Sequence, residues 1–170
     1  KKGIPQGEEI TQVKLSYGRL VALLGTKEIN FRMICYEMGR LSTLLGEASS
    51  PIHSKISSYE AKLFSNFVLR QANVFPLVIT RDGEGFLKDK NLVDYLSFQQ
   101  RRKQQQAESL SRAMKSYPDS STWSQRSLQF GIASVVYNNM ILDTTRVWML
   151  AWEEAGGTVV DAPYFEKGKD

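Results

Sequence analysis

One histidine and one cysteine in 170 residues leave little room for the chemistry that many enzymes and metal proteins depend on. A nucleophile and histidine pair would have to be built around His53, and a metal site needing two imidazoles is excluded. His53 follows Ser50-Pro51-Ile52 in what reads as the first turn of a helix, where a surface position is expected. Cys35 has no second cysteine to pair with. Its neighbours Phe31, Ile34 and Met38 are apolar, so a buried and unreactive thiol is expected, since reactivity needs a helix N-terminus or a nearby cation to lower the pKa. No glycine pattern matches a phosphate-binding loop. Asp82-Gly83-Glu84-Gly85 lacks the remaining oxygen ligands of a calcium loop and reads as an exposed turn. No catalytic residue, cofactor or metal is expected from these residues.

Also missing is an apolar run without charge. Phe130 to Ala151 is long enough to cross a bilayer, but it contains Asn138, Asn139, Asp143 and Arg146. Each charge at a bilayer centre costs about 2.5–3.5 kcal/mol, so no membrane span is expected.

What the chain does have is helical periodicity. With 42% apolar and 24% charged residues its composition is that of a globular protein, and residues 1–170 are expected to form a single domain. The longest stretch with helix-forming character runs from Trp123 to Ala155. Within it Phe130, Ala133, Tyr137, Met140, Thr144, Val147 and Ala151 recur at steps of three and four, and Ile132, Val136, Ile141, Trp148 and Trp152 form a second stripe. A helix apolar around most of its circumference needs other helices beside it, so this segment is expected to be the long, central, C-terminal helix of a bundle.

The other helices are shorter. Ile10, Val13, Tyr17, Leu20, Val21 and Leu24 predict a first helix over 9–24, after a loose lead-in at 1–9. Phe31, Ile34, Met38, Leu41 and Leu45 predict a second, capped by Thr26 and stopped by Gly46, and the short link between them favours an antiparallel hairpin over a helix-turn-helix DNA reader. Ser50-Pro51 opens a third helix reaching about Ala72. Residues 74–86 break the period and read as a small irregular or β-ribbon excursion. A fourth helix begins near Asn91 and ends at Tyr117-Pro118, and Ser120 or Ser121 caps the last one. Gly156-Gly157 stops it, leaving 158–170 as an acidic, aromatic-dotted tail. The fold expected is therefore all-α: a bundle of four to five helices.

Two groups of residues stand out. Gln99 to Gln106 is polar on every side and expected to project into solvent or to lie under a partner. Its Arg101, Arg102 and Lys103, together with Arg112 and Lys115, are candidates for contact with a protein partner or with phosphate, and Tyr117 and Trp123 are candidates for stacking on bases. Asn139, Asp143 and Arg146 share one face of the most apolar helix. They must pair with each other, meet polar groups on a facing helix, or line an interface or pocket, because a buried charge without a partner is costly. The functional expectation is a non-enzymatic helical module for protein–protein interaction or self-association. The alternative is a nucleic-acid-binding helical protein, such as a coat or packaging component, that uses the basic face at 101–115.

Overall fold

The computed structural model describes residues 6–28, 30–53, 56–71 and 91–157, with the backbone alone for Gln6, Gly7 and His53. The described elements are all helical: α1 (Gln6–Leu24), α2 (Phe31–Ser49), α3 (Ser58–Gln71), α4 (Leu92–Ser116) and α5 (Leu128–Glu154), with 3-10 turns at Pro51–His53 and Ser120–Thr122. The expected ribbon at 74–86, the tail at 158–170 and the His53 side chain lie outside the described residues. No described helix is long and apolar enough to cross a membrane.

Side-chain caps set the helix starts, and they correct several expected boundaries. Asn30, not Thr26, caps α2 by accepting the Met33 N–H at 3.1 Å. Ser57 Oγ accepts the Glu60 N–H at 3.3 Å while the Ser57 N–H donates to Glu60 Oε2 at 3.0 Å. This reciprocal pair opens α3 and, through the bonds from Ser57, holds the Glu60 carboxyl below its usual range. Ser50-Pro51 opens only the single 3-10 turn. Helix α4 starts where expected, and Asn91 caps it by accepting the Asp94 N–H at 3.0 Å. At α5 the cap is Ser127, so the helix begins five residues later than Trp123. Ser124 accepts the Arg126 N–H and Ser127 donates to the Ser124 carbonyl, local bonds that compete with helix formation. Trp123 instead packs edge-on against Phe67 with ring centroids 5.5 Å apart, and its indole N–H donates to the Tyr117 carbonyl at 2.8 Å.

At the N-terminal end, helix α1 already includes residues 6–9 of the expected lead-in. Glu8 and Glu9 in its first turn face the positive end of the helix dipole. Gly46 does not stop α2, which continues to Ser49. A Cβ at that glycine would lie 3.0 Å from Met140 Sδ, so the missing side chain lets α5 approach closely. At the end of α5 the glycines do act as expected. Gly156 takes φ 87°, and the Gly157 N–H bonds back to the Trp152 carbonyl at 2.9 Å. A Cβ on Gly157 would fall 2.2 Å from Trp152 Nε1, so the indole lies over that residue.

Helices α1 and α2 pack side by side as the expected hairpin, and α5 touches all four of the others. The apolar interior has two parts. One gathers Val13, Tyr17 and Leu20 of α1, Ile34, Leu41 and Leu45 of α2, Tyr95 and Leu96 at the start of α4, and Val147 and Ala151 near the end of α5. The other gathers Phe64 and Phe67 of α3, Leu110, Ala113 and Met114 at the end of α4, Trp123, and Ile132 and Ala133 near the start of α5. Helices α4 and α5 therefore run antiparallel and cross both cores.

Two burial expectations are corrected. Cys35 is exposed, because the buried stripe of α2 runs through Ile34, Glu37, Leu41, Leu45 and Ala48 and Cys35 is turned about 100° from Ile34. Phe31, expected in the same seam, is 73% exposed. Replacing Leu110, which has no exposure, with alanine is expected to lower the unfolding free energy by about 2–5 kcal/mol, and Ser127→Ala by about 1 kcal/mol. Urea titration followed by circular dichroism measures both.

Candidate functional site

Between the two apolar cores lies a layer of buried polar and charged side chains, to which α4 contributes Gln99, Arg102 and Lys103. The segment expected to avoid the interior forms part of it. The buried face of α4 runs Tyr95, Leu96, Gln99, Lys103, Ala107, Leu110, Ala113 and Met114, at helical spacing from end to end. Only the residue types change in the middle. Gln99 is 1% exposed and Lys103 3%. Lys103 can be buried because α1 carries a partner of opposite charge.

Lys103 Nζ donates to Glu9 Oε2 of α1 at 3.2 Å, and both side chains are almost wholly covered. Arg102, largely covered, forms an ion pair with Asp143 of α5, which has no exposure, and the Tyr95 hydroxyl donates to the other oxygen of the same carboxylate. The Arg102 guanidinium also sits over the Phe98 ring, 5.4 Å from its centroid. Farther along α1, Ser16 Oγ donates to Glu37 Oε1 of α2 at 2.5 Å, and Arg40 approaches the same oxygen at 3.5 Å. Tyr17 donates to Glu154 Oε2 at 2.5 Å. Gln99 is left over: neither atom of its buried amide has a hydrogen-bond partner among the described residues.

Both phenols resist ionisation. Burial, then the Asp143 charge and the hydrogen bond to it, push the Tyr95 pKa far above the ordinary value of 10.0, against the opposing charges of Arg146 and Arg102. Burial and Glu154 do the same for Tyr17.

The Asn139, Asp143 and Arg146 group is only partly brought together. Asp143 is the buried centre, and its carboxylate is met from across the bundle by α4. Arg146 is half-buried and acts on the Tyr95 hydroxyl through its charge, while Asn139 is half-buried on the same helix. The basic group is divided. Arg101, Arg112 and Lys115 face solvent, whereas Arg102 and Lys103 turn inward and are neutralised by carboxylates of the same chain. No continuous basic triplet remains on the surface for phosphate, and Trp123, one of the two proposed stacking residues, is only 6% exposed. Sequence reasoning missed Tyr95, Gln99 and Glu9 as members of this layer. The signal was present, since Tyr95, Gln99, Lys103 and Ala107 continue the four-residue step of the flanking apolar positions.

Elsewhere a groove runs along the outside of α2, lined by Cys35, Tyr36, Gly39, Arg40, Thr43 and Glu47. All of these belong to one helix, so the groove has one wall and cannot enclose a small ligand. No cluster of three or more metal-ligating side chains occurs among the described residues. The other conspicuous surface is the side of α5 turned away from its core, where Leu128 is 57%, Val135 54% and Trp152 44% exposed. Among the described residues, the other four helices all meet α5 and leave this side of it uncovered.

Comparison with known proteins finds nothing similar: no family model, no curated protein and no solved structure matches the chain.

Two outcomes are expected for the buried layer. Lys103→Met leaves Glu9 as an unpaired buried charge and is expected to cost about 3–5 kcal/mol, whereas Glu9→Leu with Lys103→Met recovers most of that loss in urea titrations. The tyrosines set the alkaline limit. A phenol whose folded pKa is raised contributes stability that is complete below its unfolded value and lost as pH climbs beyond it. The urea midpoint is therefore expected to fall as pH rises from about 10 to 12, and to fall less steeply in Tyr95→Phe measured against its own value at neutral pH.

Proposed function

We propose that this protein is a non-enzymatic helical module whose output is the binding of protein through the outward face of α5. The observation that carries the reading is the exposure of Leu128, Val135 and Trp152 on a helix whose opposite face is already buried core. Aligned apolar side chains of this size, left in water along one helix, form the type of surface that interaction sites use. Further large side chains, Phe31 at 73% and Tyr36 at 66% exposure on α2, add apolar surface elsewhere on the bundle. The buried polar layer serves the reading indirectly: its cross-helix ion pairs fix helix register and so keep the α5 face rigid, which lowers the entropic cost of docking.

The polar segment at 99–106, which first suggested a docking surface, does not contribute to this reading, because its Gln99, Arg102 and Lys103 are held inside the bundle. The division of the basic residues also leaves the nucleic-acid alternative without a continuous patch.

The test is site-specific photo-cross-linking of the full chain. A benzoylphenylalanine placed at Val135 is expected to yield covalent adducts with protein, while one at Arg112, on the polar outer face of α4, yields none. Absence of intermolecular adducts at residue 135 in both concentrated pure protein and cell extract would overturn the reading.

A further inference from the structure

We infer that the layer between the two apolar cores binds an internal water molecule, held by the amide of Gln99 and the ammonium of Lys103. The site lies inside the bundle and is independent of the α5 face. Among the described residues, Gln129, Asn138 and Trp148 each have one buried polar atom that no hydrogen bond reaches, whereas Gln99 has two, its Nε2 and its Oε1. Gln99 is also 1% exposed. Neither the groove along α2 nor the one beside Leu63, Asn66 and Arg70 extends to it. An amide withdrawn from bulk solvent is penalised at each end that no partner meets, and buried polar groups not met by other side chains are ordinarily met by an ordered water.

Charge, chemistry and access select the ligand. On either side of Gln99 the buried charges cancel in pairs, Lys103 with Glu9 and Arg102 with Asp143. Arg146, the further charge near this layer, is only half-buried. An ion would bring an uncompensated charge into the interior, which is costly, so the ligand is neutral. The amide presents a donor and an acceptor, so the ligand must both accept and donate. With almost no exposure at Gln99, it must also be small enough to enter through ordinary fluctuations of the bundle. Water meets all three conditions.

The helix geometry supplies its second partner. Lys103 lies one turn beyond Gln99 on the same buried face of α4, and residues four apart on a helix stand roughly 5–6 Å apart at Cβ. The ammonium has three N–H groups and gives one of them to Glu9 Oε2 at 3.2 Å. A water beside the Gln99 amide accepts from Nε2, donates to Oε1, and accepts a further N–H from Lys103. That is about three bonds, the usual number for a buried water. With it, all three polar side chains that α4 sends into the layer are paired.

Oxygen-17 relaxation dispersion of the solvent, recorded on the full chain, counts long-lived internal waters without interference from proton exchange. A protein of this length is expected to hold about six of them. Gln99→Met keeps the length of the side chain and removes both polar ends. It is expected to lower the dispersion amplitude by about one water, roughly a sixth of the total, with the helical circular dichroism unchanged. The double variant Glu9→Leu with Lys103→Met is expected to lower it as well. In the unsubstituted protein, the side-chain amide protons of Gln99 are expected to show a nuclear Overhauser cross-peak to water with the sign of a long-lived contact. An amplitude unchanged by Gln99→Met, or by the double variant, would overturn the inference. So would the absence of the cross-peak, a measurement that needs no variant and therefore decides the matter even if Gln99→Met does not fold.

Discussion

A carboxylate withdrawn entirely from water has to be met where it lies, and Asp143 imposes that condition on the whole bundle. Its two oxygens are satisfied by Tyr95 and Arg102, residues seven apart on α4, so α4 can occupy only one register against α5. The Glu9 and Lys103 pair fixes α1 against the same stretch of α4. Sliding α4 by one turn would leave Asp143 and Glu9 unpaired. Apolar burial makes these helices associate, and the charged layer decides how they align.

That fixed alignment determines what α5 shows to solvent. The helix carries apolar residues on two sides, and the other described helices cover only one of them. With Asp143 turned inward, Val135, Leu142 and Met149 are turned outward. A single helix thus serves as the spine of one bundle and offers a straight apolar edge, with the inner surface rigid enough that the outer one keeps its shape.

Much of the architecture could be read before any coordinates. The hairpin of α1 and α2, the start of α4 at Asn91, the glycine stop after α5 and the central place of α5 all follow from periodicity and capping chemistry, which are local. The errors have a common physical origin in interactions between distant parts of the chain. Gly46 resembles a terminator in one dimension, yet it is a passing place for Met140 in three. Gln99, Arg102 and Lys103 resemble a solvated face because hydropathy is assigned residue by residue, whereas the neutralising groups Glu9 and Asp143 stand 94 and 41 residues away. The outward seam of α5 was present in the spacing of Leu128, Val135, Leu142 and Met149. It was hidden by two other apolar stripes on the same helix, and only burial shows which side the chain itself uses.

The division of the interior into two apolar regions with a polar layer between them has a dynamic consequence. Each region is closed by its own short helices, α1 and α2 at one end and α3 at the other, while α4 and α5 belong to both. Amide protons of α3 can therefore exchange by opening of one end without disturbing the other, and those at the middle of α4 and α5 exchange only when the whole molecule opens. The two long helices would be the last to lose protection, so the surface that α5 presents should outlast the loosening of either end.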